Sequence, residues 1–346
     1  MAQQIYYNHQ NNLELTTRIF ELINNAKSYI KTGNFFFQDP KLNEALKNAA
    51  KRGVAIFVIS NLRGDEERGK KSKEISTETD PHIPLLHELY REGIHVHLSN
   101  DLHAKFIIAD GNEGLLMSAN YTSRSLYGNP ENGVGLIENE LTDLEYLFDV
   151  LFSNQDVVLS EEGDRYRYLS TSIPIASEVL KDVGKNSNLV FTAKSNKNNL
   201  RNCSYTTIYT SIAEIINSAK EFIIMVSWSY KKIKNLPLIK EAIQDAIRRG
   251  VDIMILYSDG MDDAKLDRTE VELKYLVGEN NFKTFCHEFP RNHSKCVLTE
   301  KEGIVFTANI DGDLGLLSGF EIGCILSNEQ RQQAIKQINS ILQNGK

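Results

Sequence analysis

The chain is written twice. "AKSYIKTGNFFF" at 26–37 answers to "AKEFIIMVSWSY" at 219–230. Each follows an amphipathic stretch, "TTRIFELINNAK" and "YTSIAEIINSAK". Each precedes another, "DPKLNEALKNAAKRG" and "NLPLIKEAIQDAIRRG", which closes on a basic pair and glycine, a helix stop. Then come β-branched runs, "VAIFVIS" and "VDIMILYS", read as buried strands. A third helical stretch follows in each half, "IPLLHELYREG" and "TEVELKYLVGE", and then "IHVHLS" and "FKTFCHEF", read as short strands. Equivalent residues keep a nearly constant offset: 193 for Ala26 and Ala219, 197 for Gly53 and Gly250, and 190 for His103 and His293. A repeat of this length means one structural unit used twice. Alternating helix and strand patterns make each unit a mixed α/β sheet layered by helices.

The expected organisation is two tandem α-β-α sandwich lobes packed about a pseudo-twofold axis. The first occupies residues 1–150 and the second 207–346. Residues 151–206 are read as a polar linker region with one helix near "IASEVLKDVG". With 346 residues, 41% of them hydrophobic, the chain can build cores of that size. Its formal net charge of −7 excludes a basic nucleic-acid coat but not a local basic cleft. The four cysteines form no C-x-x-C pair, which argues against a zinc knuckle. Cys296 and Cys324 sit in apolar runs and read as buried free thiols, consistent with a reducing compartment. No secretory signal is visible and no apolar run is long enough to span a bilayer, so a soluble, cytoplasmic protein is expected.

The repeat extends to the polar residues. "HAKFIIAD" at 103–110 is matched by "HSKCVLTE" at 293–300: a histidine, a lysine two places on, and an acid five further. Next comes an apolar strand and a small polar turn, giving Ser118 and Asn120 in the first copy and Thr307 and Asn309 in the second. From Lys105 to Asn120 is 15 residues and from Lys295 to Asn309 is 14; each histidine precedes a glutamate, Glu131 or Glu321, by 28. One His-x-Lys at a strand start is usually a solvated pair. The same set on matching strand ends of both halves is hard to explain as packing.

Paired imidazoles, ammonium groups and amides suit a phosphodiester. Lysines and asparagine amides hold non-bridging oxygens and stabilise charge on five-coordinate phosphorus. One imidazole attacks phosphorus while the other protonates the leaving oxygen. A nucleophilic histidine needs a carboxylate on its far nitrogen, and Glu131 and Glu321 are the candidates. The expectation is that Glu131 orients His103, the nucleophile, and Glu321 orients His293, the acid. Asp110 and Glu300, at the far strand ends, are assigned a structural role in holding the turn that follows. No cluster of carboxylates or cysteines suits a metal, so no cofactor or metal is expected.

The doubled H-x-K-x-x-x-x-D pattern, the Ser-x-Asn turn and the later Glu resemble the phospholipase D superfamily over most of the chain. Glu300 in place of Asp, and Met117 and Thr307 in the turns, depart from its pattern. The resemblance implies a two-lobed fold with the site on the seam and metal-independent chemistry through a phosphohistidine. It implies a catalytic set of His103, Lys105, Asn120, His293, Lys295 and Asn309. Such proteins include phospholipases, phosphatidyltransferases, nucleases and tyrosyl-DNA phosphodiesterase.

For the substrate, three readings compete: a nuclease cleaving DNA or RNA, a phospholipase or phosphatidyltransferase, and an inactive nucleic-acid-binding module. The lack of a membrane anchor favours the first. "RGKKSK" at 68–73, "YKKIK" at 230–234 and "AKSNKNNLR" at 193–201 are candidate basic patches, and Tyr121, Arg124, Trp228 and Tyr230 candidate stacking or phosphate contacts. The same charge runs also read as solvated surface. The net negative charge fits a partner protein that delivers substrate, and the internal duplication makes a monomer competent. The charged segment 61–82 is read as a surface loop or a gate over the seam.

Overall fold

The computed structural model describes residues 4–61, 82–162, 165–170, 173–196, 198–258 and 263–344. The gate reading therefore lies outside the described residues, as does the "RGKKSK" patch. Two large mixed sheets carry the fold. In the first half the strand order is His95–Leu98, Ala55–Ser60, Tyr29–Asn34, Phe106–Ala109, Glu113–Met117 and Glu131–Leu136. In the second it is Cys286–Glu288, Asp252–Tyr257, Phe222–Val226, Cys296–Thr299, Gly303–Phe306 and Gly319–Ile325. The two orders are the same. In both, the first three strands are parallel, and the remaining three join them antiparallel.

Residues 151–206 do more than link. Val157–Glu162 and Arg165–Ser170 extend the first sheet beyond His95–Leu98, while Leu189–Lys194 and Ser204–Thr206 extend the second beyond Gly319–Ile325. Of these, only Arg165–Ser170 and Ser204–Thr206 are edge strands; Val157–Glu162 and Leu189–Lys194 pair on both sides, and Leu189, Phe191 and Ala193 are buried. Near the expected helix there is a single 3-10 turn, Ser177–Leu180. "FKTFCHEF" is likewise split, with a helical turn at Phe282–Phe285 before the strand Cys286–Glu288.

Outer helices cover one face of each sheet. Glu14–Asn25, Pro40–Lys51 and His82–Arg91 pack on the first, and Thr207–Ser218, Pro237–Arg249 and Asp263–Val277 on the second. Asp39 caps Pro40–Lys51 by accepting from the Leu42 N–H at 2.9 Å, and Gly250 ends Pro237–Arg249 with φ of 75°. The inner faces share one core. Phe106, Leu116 and Val134 of the first sheet meet Val305, Phe320 and Ile322 of the second, with Glu138–Ser153 and Asn328–Asn344 closing the sides. Alternation along a strand serves both cores: Phe106 and Ile108 face the shared one, Ile107 and Ala109 the outer one. Each such buried Phe, Leu, Ile or Val contributes about 1.5–3 kcal/mol. The lobes are thus joined by a core rather than by a polar domain boundary. No described helix is long and apolar enough to cross a membrane.

Candidate active site

The shared core ends at a polar seam where both His-x-Lys segments arrive. Each is hung from the other lobe. The His103 and Ala104 N–H groups both donate to the Phe320 carbonyl, at 3.0 and 2.9 Å, and the His293 N–H donates to the Pro130 carbonyl at 2.9 Å. Gly319 makes the first contact possible. Its φ is 89°, and a Cβ there would lie 3.1 Å from the Asp101 carbonyl oxygen.

The carboxylates are crossed as well. His103 Nδ1 lies 2.5 Å from Glu321 Oε1, and His293 Nδ1 lies 2.9 Å from Glu131 Oε1 and 3.0 Å from its Oε2. The expectation that each glutamate serves the histidine of its own copy is overturned. The strand carrying each glutamate ends facing the opposite lobe, so the pairing runs across the seam. Ser118 donates to Glu131 at 2.5 Å and Thr307 to Glu321 at 2.5 Å, which gives the two turn hydroxyls one task, fixing the carboxylates. Asn132 adds an unmatched tie, accepting from the Lys295 N–H at 3.0 Å and donating to its carbonyl at 3.3 Å. At the corresponding place in the second copy stands Ile322.

Both lysines are fully buried. Lys105 Nζ donates to the His103 carbonyl and lies 3.3 Å from His103 Nδ1; Lys295 Nζ donates to the His293 carbonyl at 2.7 Å. Burial pushes Lys105 down to about 8 and Lys295 to about 7, so an arriving anion would raise the proton affinity of both. Burial would raise both glutamates, but the neighbouring imidazoles and lysines outweigh it and hold them below the ordinary carboxylate range. Burial also lowers both histidines, His293 to about 4, against the pull of the paired carboxylates. At neutral pH each imidazole is therefore neutral, with Nδ1–H on a carboxylate and a lone pair on Nε2. The His103 side chain is 31% exposed and that of His293 12%.

Asn120 and Asn309 sit in equivalent turns. Each keeps its Oδ1 buried without a partner among the described residues. An unmet buried polar group costs about 1–3 kcal/mol, so the fold itself gains nothing from these amides. Of the polar residues singled out in the sequence, the two histidines, two lysines and two glutamates meet on the seam, while Asn120 and Asn309 lie in the turns that follow Ser118 and Thr307.

Asp110 and Glu300 are elsewhere. Asp110 accepts from the N–H groups of Lys27, Ser28 and Tyr29 at 2.9, 2.7 and 2.9 Å, and Glu300 from those of Lys220 and Phe222 at 2.8 and 3.4 Å. They hold the helix-to-strand turn beside them in the sheet, not the turn that follows them in sequence. These backbone bonds, working against burial, lower the Asp110 pKa. Its contribution is thus present above the ordinary aspartate pKa of about 4 and lost as pH falls through the lower folded value. Asp110→Ala should lower stability by about 1–3 kcal/mol at pH 7, a loss that shrinks toward pH 2, with turnover per folded molecule unchanged. Urea denaturation at several pH values, set beside an active-site titration, measures both.

Two of the aromatic candidates belong to the core. Tyr121 and Tyr230 are fully buried, Tyr121 sharing a hydroxyl hydrogen bond of 2.9 Å with Thr32. Arg124 is exposed and holds Asn129 at 3.3 Å. Trp228 does reach the site, its ring centroid 5.7 Å from that of His293. Sequence reasoning missed Phe35, whose ring lies 4.9 Å from His103. The signal was in the repeat, because Phe35 and Trp228 hold the same position in "KTGNFFF" and "IMVSWSY".

The chain belongs to the phospholipase D superfamily: the family described as cardiolipin synthase, PLD-like domain, matches it twice, at residues 19–151 and 212–344. Phosphodiester-type chemistry is the class that this membership supports. Among solved structures, the chain is similar to phosphatidylserine synthase of Haemophilus influenzae Rd KW20, with 15% identity, a TM-score of 0.68, and coverage of 98% of this chain and 86% of that one. Polyphosphate kinase of Porphyromonas gingivalis shares 14% identity and a TM-score of 0.56, over 97% of this chain and 49% of that one. Nuc of Salmonella typhimurium, a phospholipase D family member, has 21% identity and a TM-score of 0.38, over 49% of this chain and 98% of that one. No curated protein matches the sequence.

Proposed function

We propose that the protein is a phosphodiesterase that cleaves single-stranded nucleic acid through a phosphohistidine. The observation that carries the chemistry is the pair of imidazoles, each oriented by a carboxylate of the opposite lobe, with two buried lysines beside them. A phosphodiester brings negative charge that strengthens the hold of these lysines on their protons. His103, the more open ring, uses its Nε2 lone pair to form an N–P bond as the P–O bond to the leaving group breaks. The anion also draws a proton onto His293, whose imidazolium Glu131 stabilises, and His293 passes that proton to the leaving oxygen. Water then gives a proton back to His293 and attacks phosphorus, and the N–P bond breaks. Asn120 and Asn309 supply amides to the non-bridging oxygens.

The nucleic-acid reading rests on the exposed indole face of Trp228 beside His293 and on exposed cations of the second lobe. Lys231 is exposed and lies in the short ladder Tyr230–Lys231 with Ile310–Asp311, next to the Asn309 turn. Arg291 is exposed two residues before His293. The test is a panel of single- and double-stranded DNA, RNA and phospholipid vesicles, with and without EDTA. The expected result is cleavage of single-stranded nucleic acid, unchanged by EDTA. Turnover of phospholipid alone overturns the substrate class, and loss of activity in EDTA restored by Mg²⁺ overturns the mechanism.

A further inference from the structure

The two aromatic side chains beside the histidines hold equivalent repeat positions but are not equivalent surfaces. Phe35 is partly covered: Phe36 packs edge-on at 4.3 Å, and Lys105 Nζ lies 6.0 Å from the ring centroid. Trp228 is 37% exposed, and its ring contact among the described residues is with His293. Its mounting is rigid. Ser227 and Ser229 on either side are buried, the Ser227 hydroxyl donates to the Ser229 carbonyl at 3.0 Å, and the Ile310 N–H donates to that hydroxyl at 3.2 Å. The Trp228 carbonyl accepts from the Ser258 N–H at 3.2 Å. An indole face is thus held open beside a candidate catalytic ring, on backbone tied to the Asn309 turn.

We infer that Trp228 is a stacking platform for the nucleobase on the leaving-group side of the scissile phosphate, an assignment that rests on the nuclease reading. The occupant follows from the surroundings. An indole face accepts either a flat base or an alkylammonium headgroup. Arg291 is exposed two residues before His293, and Lys231, three residues after Trp228, is exposed opposite Asp311; cations at these positions favour an occupant with flanking phosphates over a cationic headgroup. The side follows from the ring it touches, because His293 is the proposed acid and the acid faces the departing oxygen. Phe35, partly covered and beside the proposed nucleophile, offers no matching face, so bound strands take one polarity.

The chain has one tryptophan, so fluorescence reads the site directly. In His103→Ala protein, a short oligothymidylate should quench Trp228 saturably, and an abasic deoxyribose-phosphate chain of the same length should bind about 10-fold more weakly. In the otherwise wild-type protein, Trp228→Ala should raise KM for the oligothymidylate about 10-fold with little change in kcat, and should leave the abasic chain unaffected. Trp228→Phe should restore most of the loss. Equal losses on both chains would mean that the indole only props His293, and would overturn the platform. So would equal affinity of the two chains, or indifference to Trp228→Ala while wild type cleaves the oligonucleotide. Wild-type turnover of choline phospholipid, with no cleavage of either chain, removes the nuclease reading and the platform with it.

Discussion

His293→Ala, given a phosphodiester with a very good leaving group, should accumulate a phosphoryl adduct that mass spectrometry places on His103. A phenolate-type leaving group departs without a proton, so the first step survives loss of the acid. The second step does not, because nothing activates water. With an ordinary nucleotide leaving group the same variant should lose on the order of 10²–10⁴ in rate, the usual worth of a general acid or base. His103→Ala should form no adduct and turn over neither substrate, since a nucleophile has no substitute in the pocket. The asymmetry is the informative part. Label on His293 in His103→Ala protein, with none in the reverse variant, would reverse the two roles. Label on both would mean that the halves act interchangeably. A bell-shaped pH profile cannot replace this experiment, because two imidazoles sharing one phosphate titrate as a pair.

The crossed carboxylates make the second strong prediction. Glu321→Gln should impair the step performed by His103, and Glu131→Gln the step performed by His293, each by about 10²–10⁴ on a nucleotide substrate. Replacing the acid partner of a catalytic histidine by its amide costs about this much through loss of tautomer and charge. A good leaving group should rescue adduct formation in Glu131→Gln and not in Glu321→Gln. In a double-mutant cycle, Glu321→Gln should add little once His103 is alanine, and Glu131→Gln little once His293 is alanine. Coupling within each copy instead, Glu131 with His103, would contradict the 2.5 Å contact between His103 and Glu321.

That pairing also marks where the sequence stopped being informative. The doubled succession of helices and strands, the histidines, lysines, asparagines and glutamates were all legible, because repetition raised each above the background of ordinary polar strand ends. The identical spacing of 28 residues then suggested a local partnership. Spacing along the chain reports which element carries a residue, not which lobe that element faces. The strands in 151–206 were hidden for a different reason. Polar stretches around them read as a connection, although Leu189–Lys194 is itself an apolar inner strand paired on both sides. Tyr121 and Tyr230 misled because an aromatic near a motif has no sequence mark that tells a core ring from a surface one. Phe35 could have been found by carrying the repeat alignment one step further, from the motif to its neighbours.

Each histidine loop hangs by its backbone from the partner lobe, and each imidazole leans on a carboxylate from across the seam. A slip of one lobe past the other by a single residue would break both supports at once. Under the proposed mechanism, turnover would report directly on how the lobes are docked. Had each histidine and glutamate belonged to one lobe, a loosened seam would have left two intact dyads and a gradual decline. Here neither half contains a finished dyad. Alterations deep in the shared apolar layer, far from any phosphate, reach the chemistry through alignment alone.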